Sequence, residues 1–338
     1  MGNKTAFVVA FLVRAIYGGM QIVTKNAFNE GMSTTVFVLY RHLVAILFLV
    51  PVAFVLERKS APPLSFKVSL KLFVHALYGI SGGINIYGLG LSYASATSSS
   101  AIFNLLPAVA FFLAVLLRME TLNLKMFHGI AKVCGILFSL AGVIVLAFYQ
   151  GPEMKSFNHH HLFHHYGVNA HPRRTWILGI FLTTLSTTSW ALWTVFQGPM
   201  LEAYPSKLLN TTLQMIFATI QSFFIALAAE RDFAKWRLGL DARLLAVVYS
   251  GILVSGVAYY MQVWVIDKSG PVFLAMTMPI TLLVTIILSL FLGEAVTLGS
   301  ILGGVIMVGG LYSVLWAKRS EQVDAIRKQQ MAAPAEAA

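Results

Sequence analysis

Hydrophobic positions along this chain come in blocks rather than in stripes. Apolar runs fall at about 5–24, 35–56, 70–92, 98–117, 128–149, 175–198, 208–229, 243–266, 271–292 and 298–317, with polar residues largely confined to the gaps. Each run approaches the ~20 residues that an α-helix needs to cross a bilayer. In hydrocarbon every backbone N–H and C=O must be satisfied within the segment, so runs of this kind are helices. The pattern predicts an all-α polytopic membrane protein with ten transmembrane helices. The first run is too long for a signal-peptide core and reads as a retained signal anchor.

The blocks repeat. Glu57-Arg58 closes the second run and Glu230-Arg231 the seventh, 173 positions later, and Ser33 and Ser206 share that spacing. Pro107 and Pro279 lie mid-way along the fourth and ninth runs, and Glu120 and Glu294 follow them. Gly129 and Gly135 recur as Gly303 and Gly309. A unit of five helices is odd, so the second copy enters the membrane upside down. Two inverted five-helix repeats are a construction used by secondary transporters, whose halves rock around a site between them. The expected organisation is a first repeat over 1–149, a His-rich central loop over 150–174, a second repeat over 175–317 and a cytosolic tail over 318–338.

Composition narrows the class. Of 338 residues 58% are hydrophobic and 11% charged, far below the ~25% charged that wets an average soluble domain. The net charge of +11 sits mainly in short segments between runs, where Lys and Arg act as topology signals and lipid-headgroup contacts. No nucleic-acid partner is expected. Lys4, Arg58, Lys59, Lys67, Lys71, Arg118 and Lys125 fall on the N-terminal side, against Lys25 opposite. With ten spans this puts both termini in the cytosol; the localisation expected is the plasma membrane rather than the vacuolar membrane. Cys134, the sole cysteine, reads as a buried, inert thiol. In the central loop, His159, His160, His161, His164, His165 and His171 have no Cys or carboxylate pattern to fix a metal geometry. No metal or other cofactor is expected.

An ionisable side chain at membrane depth costs roughly 2.5–3.5 kcal/mol on insertion scales and needs a reason to be there. Arg14 lies at the centre of the first run and Arg41 in the outer half of the second. Either suits a substrate carboxylate, or a structural bond to a neighbouring helix. Arg14, Tyr17 and Gln21 share one helix face by their spacing. The equivalent stripe in the second repeat is Thr187, Trp190 and Thr194, bordered by Gln197. Asn85, Tyr87, Asn104 and Gln214 are further polar groups at depth. Together Arg14, Tyr17, Gln21, Arg41, Asn85, Tyr87, Asn104, Trp190, Thr194, Gln197 and Gln214 form the candidate substrate-binding set. Pro107 and Pro279 are expected to kink their helices. Glu57, Glu120 and Glu230 read as surface ion pairs with the neighbouring Arg58, Arg118 and Arg231.

These residues resemble a family. Tyr40-Arg41-His42, Pro51 and Glu57-Arg58-Lys59 are similar to the second-helix signature of plant EamA-type drug/metabolite transporters. So are Asn85-x-Tyr87-x-x-Gly90-x-x-Tyr93-x-Ser95-Ala96-Thr97, Asn104-Leu105-Leu106-Pro107-Ala108 and Arg118-x-Glu120. This is the nodulin-like, walls-are-thin-related group also called "usually multiple acids move in and out transporters". The resemblance runs from the first helix to the tenth. It implies ten helices, cytosolic termini and facilitated or bidirectional amino-acid transport, and relatives handling auxin-like organic anions imply the alternative substrate. Ile84, and Arg14 where the family commonly carries a neutral polar residue, depart from its pattern.

The function expected is therefore alternating-access transport of a small polar metabolite, an amino acid or an organic anion, across a lipid bilayer. An intramembrane enzyme would need a convergent catalytic set, and no H-E-x-x-H, paired aspartates or G-x-S-x-G is present. A channel is the other rival class.

Overall fold

The computed structural model describes residues 2–57, 62–93, 102–120, 122–149, 151–154, 173–292 and 296–332. The first half comprises α1 (Gly2–Asn29), α2 (Thr34–Glu57), α3 (Phe66–Ala76), α4 (Gly83–Tyr93), α5 (Leu106–Leu116) and α6 (Phe127–Phe148). The second comprises α7 (Arg173–Ala203), α8 (Lys207–Ala229), α9 (Ala242–Tyr249), α10 (Tyr259–Ser269), α11 (Pro271–Met276), α12 (Met278–Leu292) and α13 (Leu298–Ala332). A π-helical segment, Leu77–Gly82, carries α3 into α4, and another, Ser250–Ala258, carries α9 into α10. Two-residue strands pair Glu153 with Thr297 and Met154 with Val296. Ser95, Ala96 and Thr97, the central histidines, Arg58, Lys59 and Glu294 lie outside the described residues.

Among the described residues, eight helical stretches are long and apolar enough to cross a membrane by length and composition. The sequence led us to expect ten. The two that fall short do so for different reasons. α5 is apolar but only 11 residues long. α7 is 31 residues long but rich in hydroxyl side chains. Thr183, Thr184, Thr187, Thr188 and Thr194 each donate to the carbonyl four residues earlier, so the helix carries them with their hydrogen bonds satisfied. Leu47, Phe54, Val55, Phe148, Ile287 and Phe291 point outward and are exposed. So large an apolar exterior is a lipid-facing surface. Cys134 is exposed on it, not buried as the sequence suggested.

Chain ends of helices are fixed by local chemistry. Ser206 caps α8 by accepting the Leu209 amide at 3.1 Å, and Asp241 caps α9 by accepting that of Arg243 at 3.0 Å; both follow the usual preference for short oxygen-bearing side chains at this position. Gly270, at φ 83°, makes the turn between α10 and α11, a conformation only glycine adopts freely, and Pro271 then starts α11.

α6 and α13 run antiparallel in close contact. A methyl placed on Gly142 would lie 2.7 Å from the Gly303 carbonyl oxygen, and one on Gly303 would lie 2.8 Å from that of Gly142. Glycine at both crossing points is what allows the backbones to touch. α13 continues past the apolar run to Ala332.

α2 and α8 also pack antiparallel, and their ends are tied. The Ser206 hydroxyl at the start of α8 donates to the Glu57 carboxylate at the end of α2. At the opposite end Ser33, before α2, bonds to Glu230, after α8. Glu230 thus pairs with Ser33 and Lys235 rather than with Arg231.

The central core gathers Trp190, Trp193, Tyr259, Met215, Leu106 and Met276 where the two halves meet.

Candidate functional site

A cavity of about 80 Å³ opens in the middle of the bundle, lined by Arg14, Tyr17, Gln21, Tyr87, Phe103, Asn104, Trp190, Met278, Thr281 and Leu282. Both halves contribute. Six of the residues expected from the sequence come together here: Arg14, Tyr17, Gln21, Tyr87, Asn104 and Trp190. Phe103, Met278, Thr281 and Leu282 were not expected, because an apolar or small side chain in an apolar run gives no signal of its own.

The wall around Arg14 is built by a broken helix. Pro279 has no N–H, and α11 stops at Met276 before α12 restarts at Met278. The break leaves carbonyls without helical partners. Arg14 braces the break: Nη2 donates at 2.6 Å to the Leu274 carbonyl, which the Thr277 amide and hydroxyl also bond, and Nε donates to the Thr277 hydroxyl at 2.8 Å, while Nη1 lies 3.2 Å from the Met278 sulfur. The structural role weighed from the sequence is therefore real, and it coexists with a place on the cavity wall. Arg14 is 3% exposed, and among the described residues no carboxylate lies within ion-pair distance of it. Pro107 marks a matching break, with a turn at Asn104-Leu105 before α5.

Arg41 does not reach the cavity. It is 4% exposed, donates from Nε to Ser255 Oγ at 2.6 Å and faces the Met20 sulfur. Between it and the cavity stand two phenols. Tyr259 neighbours both Arg41 and Tyr17, and the Tyr17 oxygen accepts from Gln262 Nε2 at 3.1 Å. Gln262 was legible as a lone amide deep in the eighth run, by the same reasoning that selected Asn85. Asn85 itself turns away, donating to the Ser81 carbonyl at 2.7 Å, and Thr194 donates to the Trp190 carbonyl.

Gln197 and Gln214 belong to a separate, fully buried network. Its hydrogen-bond directions follow from groups that have no choice. The Trp193 indole N–H can only donate, so the Gln214 atom 2.8 Å away is oxygen. The Gln214 amide nitrogen then donates to Gln197 Oε1 at 3.1 Å and Asn210 Oδ1 at 2.5 Å. Gln197 Nε2 also donates to Asn210 Oδ1, and Asn210 Nδ2 donates to the Met200 carbonyl. Gln197 Oε1 must accept from His75 Nε2 at 3.0 Å. Neutral His75 therefore keeps its proton on Nε2, and its Nδ1 accepts from the Tyr78 hydroxyl at 2.6 Å. Trp193 stacks on His75 at 6.0 Å and on Trp190 at 5.1 Å, which links the network to the cavity wall. Asn210 is fully buried and closed to glycosylation.

One end of the bundle is tied by ion pairs between distant helices. Lys132 of α6, only 1% exposed, pairs with Glu120 at 3.0 Å and with Glu321 of α13 at 2.5 Å. Lys318 of α13 pairs with Glu120 at 3.1 Å and also donates to the Ser269 carbonyl. Lys207 of α8 meets Asp267 of α10 at 3.1 Å. Glu120 is thus held by lysines from two other helices and not by Arg118. At the other end the pairs are local: Lys235 with Glu230, Arg243 with Asp241. Hydrogen bonds from Arg243 hold the Asp241 carboxyl below its ordinary value. Gln21 and Tyr87 lie toward this second end along α1 and α4, Phe103 precedes α5 there, and Thr281 and Leu282 lie mid-way between Pro271 and Leu292, so the cavity extends from the middle of the bundle toward the side away from the long-range ion pairs.

Comparison with known proteins adds the following. Residues 4–148 and 177–316 each match the model of the EamA-like transporter family. A WAT1-related protein of Arabidopsis thaliana is 45% identical over 334 residues, covering 95% of this chain and 92% of the relative. The protein WALLS ARE THIN 1 of the same plant is 38% identical over 316 residues, covering 90% and 81%. An auxin-induced protein of Pinus taeda is 34% identical over 316 residues, covering 90% and 77%. A solved crystal structure of a protein at 18% identity superposes with a TM-score of 0.71 over 94% of this chain and 99% of the other, a likeness of fold alone.

Proposed function

The chain belongs to the EamA-like transporter family and is an integral, multi-pass membrane transporter. From that premise we propose that it is a secondary carrier of small carboxylate-bearing metabolites, working by alternating access between two inverted five-helix repeats. The observation that carries the reading is Arg14: a buried cation on the cavity wall without a carboxylate partner among the described residues. A charge in that position is expensive unless something neutralises it, and a substrate carboxylate is the missing counter-charge.

The inverted-repeat plan has its own support. The bonds Ser206–Glu57 and Ser33–Glu230 join equivalent residues reciprocally, as a two-fold axis in the membrane plane requires. The π-helical segments start at Leu77 and Ser250, 173 positions apart. The breaks before Pro107 and Pro279 fall at nearly the same spacing, 172 positions. Ten spans follow if α7, and α5 with the residues before it, cross the bilayer with the other eight. The repeats then occupy 1–149 and 175–317, joined by the loop 150–174 and followed by the tail 318–338. Both termini are cytosolic in this reading, in the plasma membrane rather than the vacuolar one. The end tied by Lys132, Glu120 and Lys318 is then the cytosolic end, and the cavity belongs to an outward-facing arrangement.

Amino acids are the first substrate class, through their carboxylate. A second reading, organic anions, is favoured by one feature: the described lining holds no carboxylate to receive an ammonium group. Counterflow in proteoliposomes loaded with a panel of amino acids and indole acids tests both. Saturable exchange supports a carrier, whereas non-saturable flux would point to a channel, and conversion of the solute to an enzyme.

A further inference from the structure

Gln262 lies outside the cavity, buried on α10, yet its side chain reaches a residue that lines it. Its Nε2 donates to the Tyr17 oxygen at 3.1 Å. A phenol has one proton to give and a weak oxygen to receive with. With Gln262 on the oxygen, what Tyr17 has left is its O–H proton. The nearest phenol, Tyr259, does not take it: Tyr259 stands between Arg41, which has no acceptor, and Tyr17, so its own proton is turned toward the Tyr17 oxygen. One helical turn earlier on the same face stands Arg14, a group with donors and no acceptor. One layer behind stands the positive charge of Arg41, beside Tyr259.

We propose that Gln262 is a positioning residue that commits the Tyr17 hydroxyl to donation, so that Tyr17 and Arg14 together present only hydrogen-bond donors to the cavity and select an oxyanion. The proposal rests on the reading of the cavity as a carboxylate site and names how that site tells an anion from its neutral isostere. Without Gln262, Tyr17 is free to accept as well as donate, and serves an amide or ammonium N–H as readily as a carboxylate oxygen. Gln262 acts on specificity through Tyr17 and makes no contact with the ligand itself.

The test uses the purified full-length chain in nanodiscs, with benzoate and benzamide as probes, which share a shape and differ in charge and donor count. Binding is followed by equilibrium retention of the radiolabelled probe. The wild type is expected to prefer benzoate. Gln262→Leu and Tyr17→Phe should each lower that preference about tenfold, the size of one hydrogen bond to a charged group. The double variant should lose no more than either single one. Gln262→Glu should lose more than Gln262→Leu, because its carboxylate takes the Tyr17 proton for itself. A general loosening of the fold weakens both probes together and leaves their ratio alone. An unchanged ratio in Gln262→Leu, or losses that multiply in the double variant, would overturn the proposal. A wild type that binds neither probe would overturn the carboxylate reading beneath it, and the proposal with it.

Discussion

The Ser206 hydroxyl donates to the Glu57 carboxylate across the start of α8 and the end of α2, and Ser33 makes the equivalent bond to Glu230 at the far end of the same helix pair. Each serine opens one helix while its glutamate closes the other, so the pair is pinned at both ends. Ser206→Ala removes the α8 cap as well as the bond to Glu57, and thermal unfolding in detergent should show a loss of roughly 1–2 kcal/mol. Glu57→Ala in that background should cost little more. Fully additive losses would mean the two residues do not act together.

Acid should weaken the other clasp. What desolvation Glu230 has raises its carboxyl, but hydrogen bonds from Ser33, the Asp232 amide and Lys235 outweigh that and hold it below the ordinary value. A lowered carboxyl contributes stability above the ordinary carboxyl range and loses it as pH falls through the lowered value. The unfolding temperature of the wild type should therefore drop more steeply in acid than that of Glu230→Gln. Parallel profiles would remove Glu230 from the account.

Arg14→Ala should abolish transport of carboxylate substrates, measured as counterflow, with expression intact. Because Arg14 also satisfies the Leu274 carbonyl and the Thr277 hydroxyl, the unfolding temperature should fall too. Arg14→Lys keeps the charge but not the guanidinium fork, and should retain only a fraction of the activity. Wild-type rates in Arg14→Ala would take the residue out of the site.

Glu120→Gln should loosen the tied end. It takes a charge from between Lys132 and Lys318, both largely withdrawn from water. A cysteine placed at Ala110 of α5, in a Cys134→Ser background, should then react faster with an impermeant maleimide added from that end. An unchanged rate would show that the ion pairs do not guard access.

Gln214→Leu should be among the more damaging single changes away from the cavity. It leaves the Trp193 N–H without its acceptor and strips a donor from Gln197 and Asn210, at a cost of roughly 2 kcal/mol or more. Denaturant unfolding followed by tryptophan emission would read it directly.

The membrane class was legible because lipid imposes a length and a composition on every span, and both are visible one residue at a time. The duplication was legible because charged residues at the ends of runs and prolines within them are rare enough to align by eye. The cavity was legible only in part. Arg14, Arg41, Asn85 and Gln214 are all polar groups within apolar runs, and the sequence cannot say which of them finds its partners inside the protein. Arg41 and Gln214 do; Arg14 does so only in part. Glu120 looked like a partner for Arg118 because the two are adjacent in the chain. The lysines that hold it come from α6 and α13, which become neighbours only when glycines let those helices touch.

Each half carries one stretch wound wider than the rest, Leu77–Gly82 and Ser250–Ala258. A wide turn holds a spare residue, like a ruck in a carpet. If the ruck travels, the helix beyond it advances by one residue and swivels by about 100°, while bonds broken ahead are remade behind. His75 and Tyr78 sit at one ruck and Ser255, the partner of Arg41, at the other. Deleting one residue from either stretch irons it flat. That half would then have to move as a stiff rod or not at all.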